Sequence, residues 1–191
     1  MGSEMCIRDS WRTGKGADWQ AALSWKDIER YKKKYPLPLI LKGIATAEDA
    51  RIAVEHGVAV IYVSNHGGRQ LDHGLGAIDV LPEVVDAVSG RSLIAVDGGF
   101  SRGTDIIKGI ALGADFVGIG RMLCYGLAAA GADGVIRMLE LLEEEVKLAL
   151  GLLGGNSYSQ IEPTQLCSGP PVVDPGVVSA FPLLESDKFF Y

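Results

Sequence analysis

Val60 to Gln70 reads V-I-Y-V-S-N-H-G-G-R-Q. Its opening residues are apolar and mostly β-branched, the composition of a strand buried on both faces, and the run stops abruptly at polar residues and two glycines. Such a strand belongs in a parallel sheet covered by helices. Ser64, His66 and Arg69 then sit at its C-terminal end, where parallel α/β folds bind ligands. A hydroxyl, an imidazole and a guanidinium so close together suit an anionic substrate. Gly67 and Gly68 let the backbone turn and come near a flat ligand. Taken alone, a surface loop with a stray His and Arg accounts for the same letters; the neighbouring strand ends weigh against it.

Working outward, the same unit recurs on both sides. Ser24, with Asp27 three positions later, forms a variant capping box that starts a helix running to about Tyr35, where Pro36 and Pro38 end it. Leu39 to Leu41 predict a strand ending at Lys42-Gly43. Thr46 caps a helix through His56, stopped by Gly57, and Val58 to Val63 predict the next strand. Ile78 to Val88 reads as a helix with Pro82 near its first turn. Leu93 to Val96 is a strand ending at Asp97-Gly98-Gly99, Thr104 to Leu112 a helix closed by Gly113, and Phe116 to Ile119 a strand ending at Gly120-Arg121. From Ala132 to Leu153 the apolar residues recur at three and four, which predicts a long amphipathic helix on the outside of the sheet. Strands alternating with helices in this way are β/α units of a parallel sheet.

The chain has 191 residues, of which 48% are hydrophobic and 22% charged, enough to bury one core. A net charge of -6 leaves no basic stripe for phosphates, so a nucleic-acid partner is excluded. The one basic run, Lys32 to Lys34, reads as the solvated end of a helix. Cys6, Cys124 and Cys167 are widely spaced and odd in number, which indicates neither a disulfide framework nor a metal site, and fits a cytoplasmic compartment. No apolar leader and no window near the ~18 to 20 apolar residues of a membrane span stand out, so no integral membrane segment is expected. Residues 1–22 are polar and without period, and the stretch 155–191 is rich in Pro and Gly; the β/α units occupy 23–154.

S-N-H-G-G-R-Q-L-D from Ser64 resembles the signature of the FMN-dependent α-hydroxy-acid dehydrogenases and oxidases, the family of glycolate oxidase, L-lactate dehydrogenase and mandelate dehydrogenase. Three further segments match in the same order: L-I-L-K-G-I-A-T-A-E-D-A from Leu39, V-D-G-G-F-S-R-G-T-D from Val96, and V-G-I-G-R from Val117. A closed (β/α)8 barrel typically takes ~250 residues. The resemblance therefore implies that this chain is the C-terminal half, strands five to eight, of a TIM (β/α)8 barrel. The complete parent would be a homo-oligomer.

Oxidising a 2-hydroxy acid needs a base, a cation for the carboxylate and an acceptor for two electrons; side chains do not supply the last, so a cofactor is implied. By resemblance that cofactor is FMN, and the substrate is a small L-2-hydroxy acid, lactate-like. His66 matches the family's proton acceptor and touches substrate, and Arg69 matches the arginine that grips the carboxylate. Lys42 matches the lysine beside the flavin's electron-accepting edge, although a lysine at a strand end is also a common solvated charge. Ser64 matches a flavin-contacting hydroxyl. Asp97 would take ribityl hydroxyls, and Gly98, Gly99, Phe100, Ser101, Gly120 and Arg121 would surround the phosphate end. Many members carry Arg where this chain has Ser101. Either Arg102 substitutes for it or FMN binds less tightly.

The resemblance also implies that two tyrosines, a second arginine and the aspartate orienting the histidine come from the first half of the barrel. The 191-residue chain is accordingly expected to turn over little by itself. A non-catalytic flavin- or phosphate-binding half-barrel that self-associates through its sheet edges is the alternative.

Overall fold

The computed structural model describes residues 23–69 and 74–168. The expectations for residues 1–22, Cys6 among them, for the Q-L-D end of the signature and for the tail beyond residue 168 lie outside the described residues.

Ser24 starts α1 (Trp25–Lys34) by donating its backbone N–H and its hydroxyl to the Asp27 carboxylate, at 2.9 and 3.0 Å. Its last turn does more than face water. The Lys32 ammonium donates to the carbonyls of His56 and Gly57, both at 2.6 Å, and so caps the following helix. The basic run expected to be a solvated face is thus partly a docking contact, because carbonyls at a helix end have no partner of their own.

β1 (Ile40–Ile44) is longer than the sequence predicts and contains Lys42 rather than ending before it. Gly43, at φ 100, makes the irregularity by which the register jumps between Lys42 and Ile44. That kink is what a glycine inside a strand often signals. α2 (Ala47–Glu55) is capped by Thr46, whose hydroxyl accepts from the Asp49 N–H at 3.1 Å. β2 is Val60–Val63 and α3 is Ala77–Val88. Pro82 is the sixth residue of α3 and not in its first turn. β3 (Leu93–Asp97), α4 (Gly103–Ala111) and β4 (Phe116–Gly118) follow as expected to within a residue or two.

The four strands are parallel and lie in the order β1-β2-β3-β4. Register fixes two faces. Leu41, Ile61 and Ile94 stand side by side, as do Ile44, Val63, Val96 and Val117, and these rows pack under the helices with Leu81, Val84 and Val88 of α3. The opposite rows, Ile40-Val60-Leu93 and Lys42-Tyr62-Ala95-Phe116, form the inner face, where Ile40 and Phe116 are more than half exposed. Both β1 and β4 are edge strands among the described residues.

α5 (Arg121–Leu152) begins eleven residues before the helix that the periodicity predicts. Ala130 and Gly131 leave helical dihedrals, and the arms fold back until the backbones of Gly126 and Gly134 touch. The second arm lays Val146, Ala149 and Leu150 against Ile107 of α4. By length and composition α5 is long and apolar enough to cross a membrane, against the expectation that no window approaches a membrane span. Its path is broken at Ala130-Gly131 all the same. The described part of the tail carries two short 3-10 turns, Tyr158–Gln160 and Pro163–Gln165.

Glu145 holds α4 to the second arm of α5. Its carboxylate accepts from the Gly103 N–H at 2.7 Å and from the Arg102 guanidinium at 2.7 and 2.9 Å. Arg102 and then the Gly103 amide hold the Glu145 carboxyl below the usual carboxylate range. A carboxyl depressed in the folded state adds stability that is present above its unfolded pKa and disappears as pH falls through the folded value. The exposed Arg102 contributes little, so the capped amide carries most of the effect. Glu145→Gln is expected to cost about 1 kcal/mol at neutral pH. The difference in melting temperature from wild type should close in acid, below about pH 4. A difference that grows on acidification would contradict this account.

Candidate active site

The strand ends converge on one rim. Lys42 reaches up from β1, with its ammonium 3.1 Å from Asp97 Oδ2 at the end of β3 and 2.8 Å from Ser64 Oγ just past β2. Ser64 is 4% exposed, and its oxygen also accepts the His66 N–H at 3.1 Å. One buried hydroxyl thus positions both the lysine and the start of the histidine turn. His66 itself adopts φ 56, in the left-handed region, and Gly67 and Gly68 continue there at φ 65 and 72. A non-glycine residue in that region is uncommon and marks a turn held by its surroundings. Asn65 does the holding: its side chain accepts from the Gly68 N–H at 3.1 Å and donates to the Leu75 carbonyl at 3.0 Å.

A cleft of about 370 Å³ opens on this rim, walled by His66, Arg69, Asp97, Ser101, Gly120 and Arg121 among others. Two glycines leave it room. A side chain at Gly99 or Gly120 would meet open space within 4 Å, and Gly98 and Gly99 lie at φ 105 and 85. The Arg121 guanidinium reaches across toward Gly67, a built Cβ of which would lie 3.5 Å away, so the last strand end and the histidine turn face each other.

The two helix N-termini at the rim differ. At α4 the amides of Ser101, Arg102 and Gly103 are already taken by Asp105 and Glu145, at 3.1, 3.0 and 2.7 Å. At α5 the cap is Gly120, with no side chain to accept; the Leu123 N–H bonds the Gly120 carbonyl at 3.0 Å, and no side chain caps the helix start beside Arg121. An anion is better served there, by an open helix start and a fixed positive charge.

The structure thus places Lys42, Ser64, His66, Arg69, Asp97, Gly98, Gly99, Ser101, Gly120 and Arg121 around one end of the sheet. Phe100 also borders the cleft, but its ring is 7% exposed and rests on Gly109 in the core, so it supports the wall from below. Arg102 is bound to Glu145 and is not among the residues that wall the cleft. His56 stacks on Trp25 at 5.5 Å, far from the rim in role.

Tyr62 is the site residue that sequence reasoning missed. It shares an inward row with Lys42, its ring lies 5.3 Å from the Lys42 ammonium, and its hydroxyl rests on Gly118 beside Asp97. Burial first, then the charge of Asp97 and contact with its carboxylate, raise the phenol's pKa above its ordinary value. The available signal was the strand period: two residues before Ser64's loop, a polar-tipped aromatic sits on the same face as the neighbouring lysine.

Asp97 Oδ1 is buried and has no hydrogen-bond partner among the described residues. A buried carboxylate oxygen left so is unusual, and it is an acceptor that a ligand bringing a donor would satisfy. Together with the glycine-lined space and the open start of α5, it fits a ligand carrying hydroxyls at one point and a phosphate at another.

A parallel β/α sheet that gathers cationic and polar side chains beside glycine-lined space at its strand ends has the layout of the phosphate-binding end of a (β/α)8 barrel. The comparisons narrow the class. A model of the FMN-dependent dehydrogenase family matches residues 7–168. L-lactate oxidase of Nostoc is 48% identical over 141 residues, covering 74% of this chain and 39% of that protein. Glycolate oxidase 3 of Arabidopsis thaliana is 50% identical, covering 76% and 39%, and human 2-hydroxyacid oxidase 1 is 45% identical, covering 80% and 41%. Among solved structures, mandelate oxidase with benzoyl-formic acid superposes at a TM-score of 0.70 with 50% identity, over 72% of this chain and 41% of that one. The chain belongs to the FMN-dependent dehydrogenase family, and its four strands form the C-terminal half of the (β/α)8 barrel. It spans about two fifths of the length of the relatives it matches.

Proposed function

We propose that this chain supplies the catalytic rim of an enzyme that oxidises a small L-2-hydroxy acid, lactate-like, to the 2-oxo acid with FMN. The observation that carries the reading is the shared rim: Asp97 Oδ1 unpartnered, glycine-lined space, and Arg121 at the open start of α5, all on the cleft that His66 and Arg69 border. The relatives named for lactate, glycolate and 2-hydroxy acids support the substrate class.

FMN would supply the acceptor for the electron pair that the oxidation of the substrate carbon releases. Asp97 would accept from the hydroxyls of the cofactor's sugar-alcohol chain, and Arg121 with the start of α5 would hold the phosphate. Arg69 presents a planar guanidinium that grips the substrate carboxylate through paired charge-assisted bonds. His66 takes up the proton that the oxidation releases, a task suited to an imidazole. Lys42, held by Asp97 and Ser64, places a positive charge where negative charge accumulates.

Titrating the chain with FMN and, separately, with riboflavin tests the reading by flavin fluorescence. FMN should bind more tightly than riboflavin. Arg121→Ala should weaken FMN about 10- to 100-fold, the size of one charge-assisted phosphate contact, and leave riboflavin unaffected. Equal affinity for the two flavins in the wild-type chain would sink the phosphate assignment. Lactate-dependent dye reduction by the isolated chain should be near background; robust turnover would show that the rim needs no other segment.

A second reading, a non-catalytic half-barrel that self-associates, is favoured by the exposed inner-face residues Ile40, Leu93 and Phe116 and the unpaired edges β1 and β4. Light scattering distinguishes it: a discrete dimer that binds FMN without turnover supports it, and a monomer does not.

A further inference from the structure

The FMN reading assigns Asp97 to the ligand and Lys42 to the rim, but it leaves Tyr62 unexplained. Tyr62 comes from the strand between them. Its partners in register are Lys42 on β1 and Ala95 on β3, one small residue over which a ring can lie. The ring crosses β3 and sets its hydroxyl on the α-carbon of Gly118 in β4, where a built Cβ would collide with the oxygen and lie 3.1 Å from both the Tyr62 Cζ and the Asp97 Cβ. Gly118 is the register partner of Asp97. The phenol is therefore wedged into a gap that only a glycine leaves, directly against the residue carrying the unpartnered oxygen.

The same ring supports the other half of the ion pair. Its centroid lies 5.3 Å from the Lys42 ammonium, and that ammonium binds Asp97 Oδ2 at 3.1 Å. Lys42 and Asp97 are the charged groups facing the phenol. With Oδ2 turned to Lys42, Oδ1 is the oxygen left for a donor.

We propose that Tyr62 is a positioning residue of the FMN site: wedged across β3 onto Gly118, it braces the Lys42-Asp97 pair so that Asp97 keeps one oxygen on the lysine and presents the other to a hydroxyl of the ligand. This rests on the FMN reading. Losing the hydroxyl frees the carboxylate to rotate, and the ligand then meets an acceptor that has to be ordered on binding.

The test uses the full chain and FMN fluorescence quenching on wild type, Tyr62→Phe, Asp97→Asn and the double variant. Tyr62→Phe keeps the ring, and its fold is checked by circular dichroism. It should weaken FMN about three- to tenfold, the usual range for losing one hydrogen-bonding group. The decisive readout is coupling: in the Asp97→Asn background the Tyr62→Phe change should cost little more, because both act through one carboxylate. Gly118→Ala offers a second route, since its methyl displaces the phenol and should reproduce the loss without touching Tyr62. A merely structural tyrosine would give additive losses. Independently of flavin, the absorbance titration of wild type minus Tyr62→Phe isolates this phenol, and Asp97→Asn should move its midpoint down. FMN bound equally by wild type and Tyr62→Phe, or strict additivity, overturns this inference alone. No quenching by any variant, wild type included, overturns the FMN reading and this inference with it.

Discussion

With this chain joined behind the N-terminal part of the Nostoc L-lactate oxidase barrel, His66→Gln should slow lactate oxidation by about 10²- to 10⁴-fold while FMN stays bound. That range is what a positioned acid-base group contributes. His66 is held in the left-handed region by the turn that Ser64 and Asn65 brace, so the imidazole is aimed by backbone and not by its own rotamer alone. Glutamine keeps polarity and approximate size but takes up no proton. The check is steady-state dye reduction alongside flavin absorbance. Loss of turnover with full flavin content supports the role, and a change of less than about tenfold would remove it.

The second large effect falls on stability. Leu81 of α3 is fully buried in the cluster with Ile61, Val63, Val84 and Val96, on the helix-covered face of the sheet. Leu81→Ala removes its packing against the very strands whose ends carry Ser64 and Asp97. A cost of about 2 to 5 kcal/mol is expected, because closely packed surroundings collapse only partly around the cavity. For a chain of this size the melting temperature should drop by roughly 10 °C. Thermal denaturation followed by circular dichroism measures it. An unchanged midpoint would mean that the α3 packing on β2 and β3 is not the core that the structure describes.

Much of the site was legible because chemistry in a parallel sheet gathers at one end of every strand. Once Val60 to Val63, Leu93 to Val96 and Phe116 onward are read as strands, Ser64, Asp97 and Arg121 are placed without further information. Lys42 is expected just past the end of its strand, but it lies inside β1, since Gly43 carries the strand past it with a register jump. What stayed hidden depends on contacts between distant residues. Glu145 reaches Arg102 and Gly103 from another helix, so nothing near Arg102 in the chain tells that its charge is spent. Tyr62 hides inside an apolar run, where a phenol reads as core until Gly118 is seen to leave it space. The break at Ala130-Gly131 is concealed by a stretch of alanines, which favour helix on their own account and do not announce a reversal made by backbone contact at Gly126 and Gly134.

Hydrogen exchange of the chain with and without FMN tests most directly whether His66, Asp97 and Arg121 serve one ligand. Protection should appear together in three separated segments, at 64–69, 97–101 and 119–123, and should be weaker with riboflavin only in the last. Protection confined to one of these segments, or spread over helices remote from the rim, would contradict the shared site.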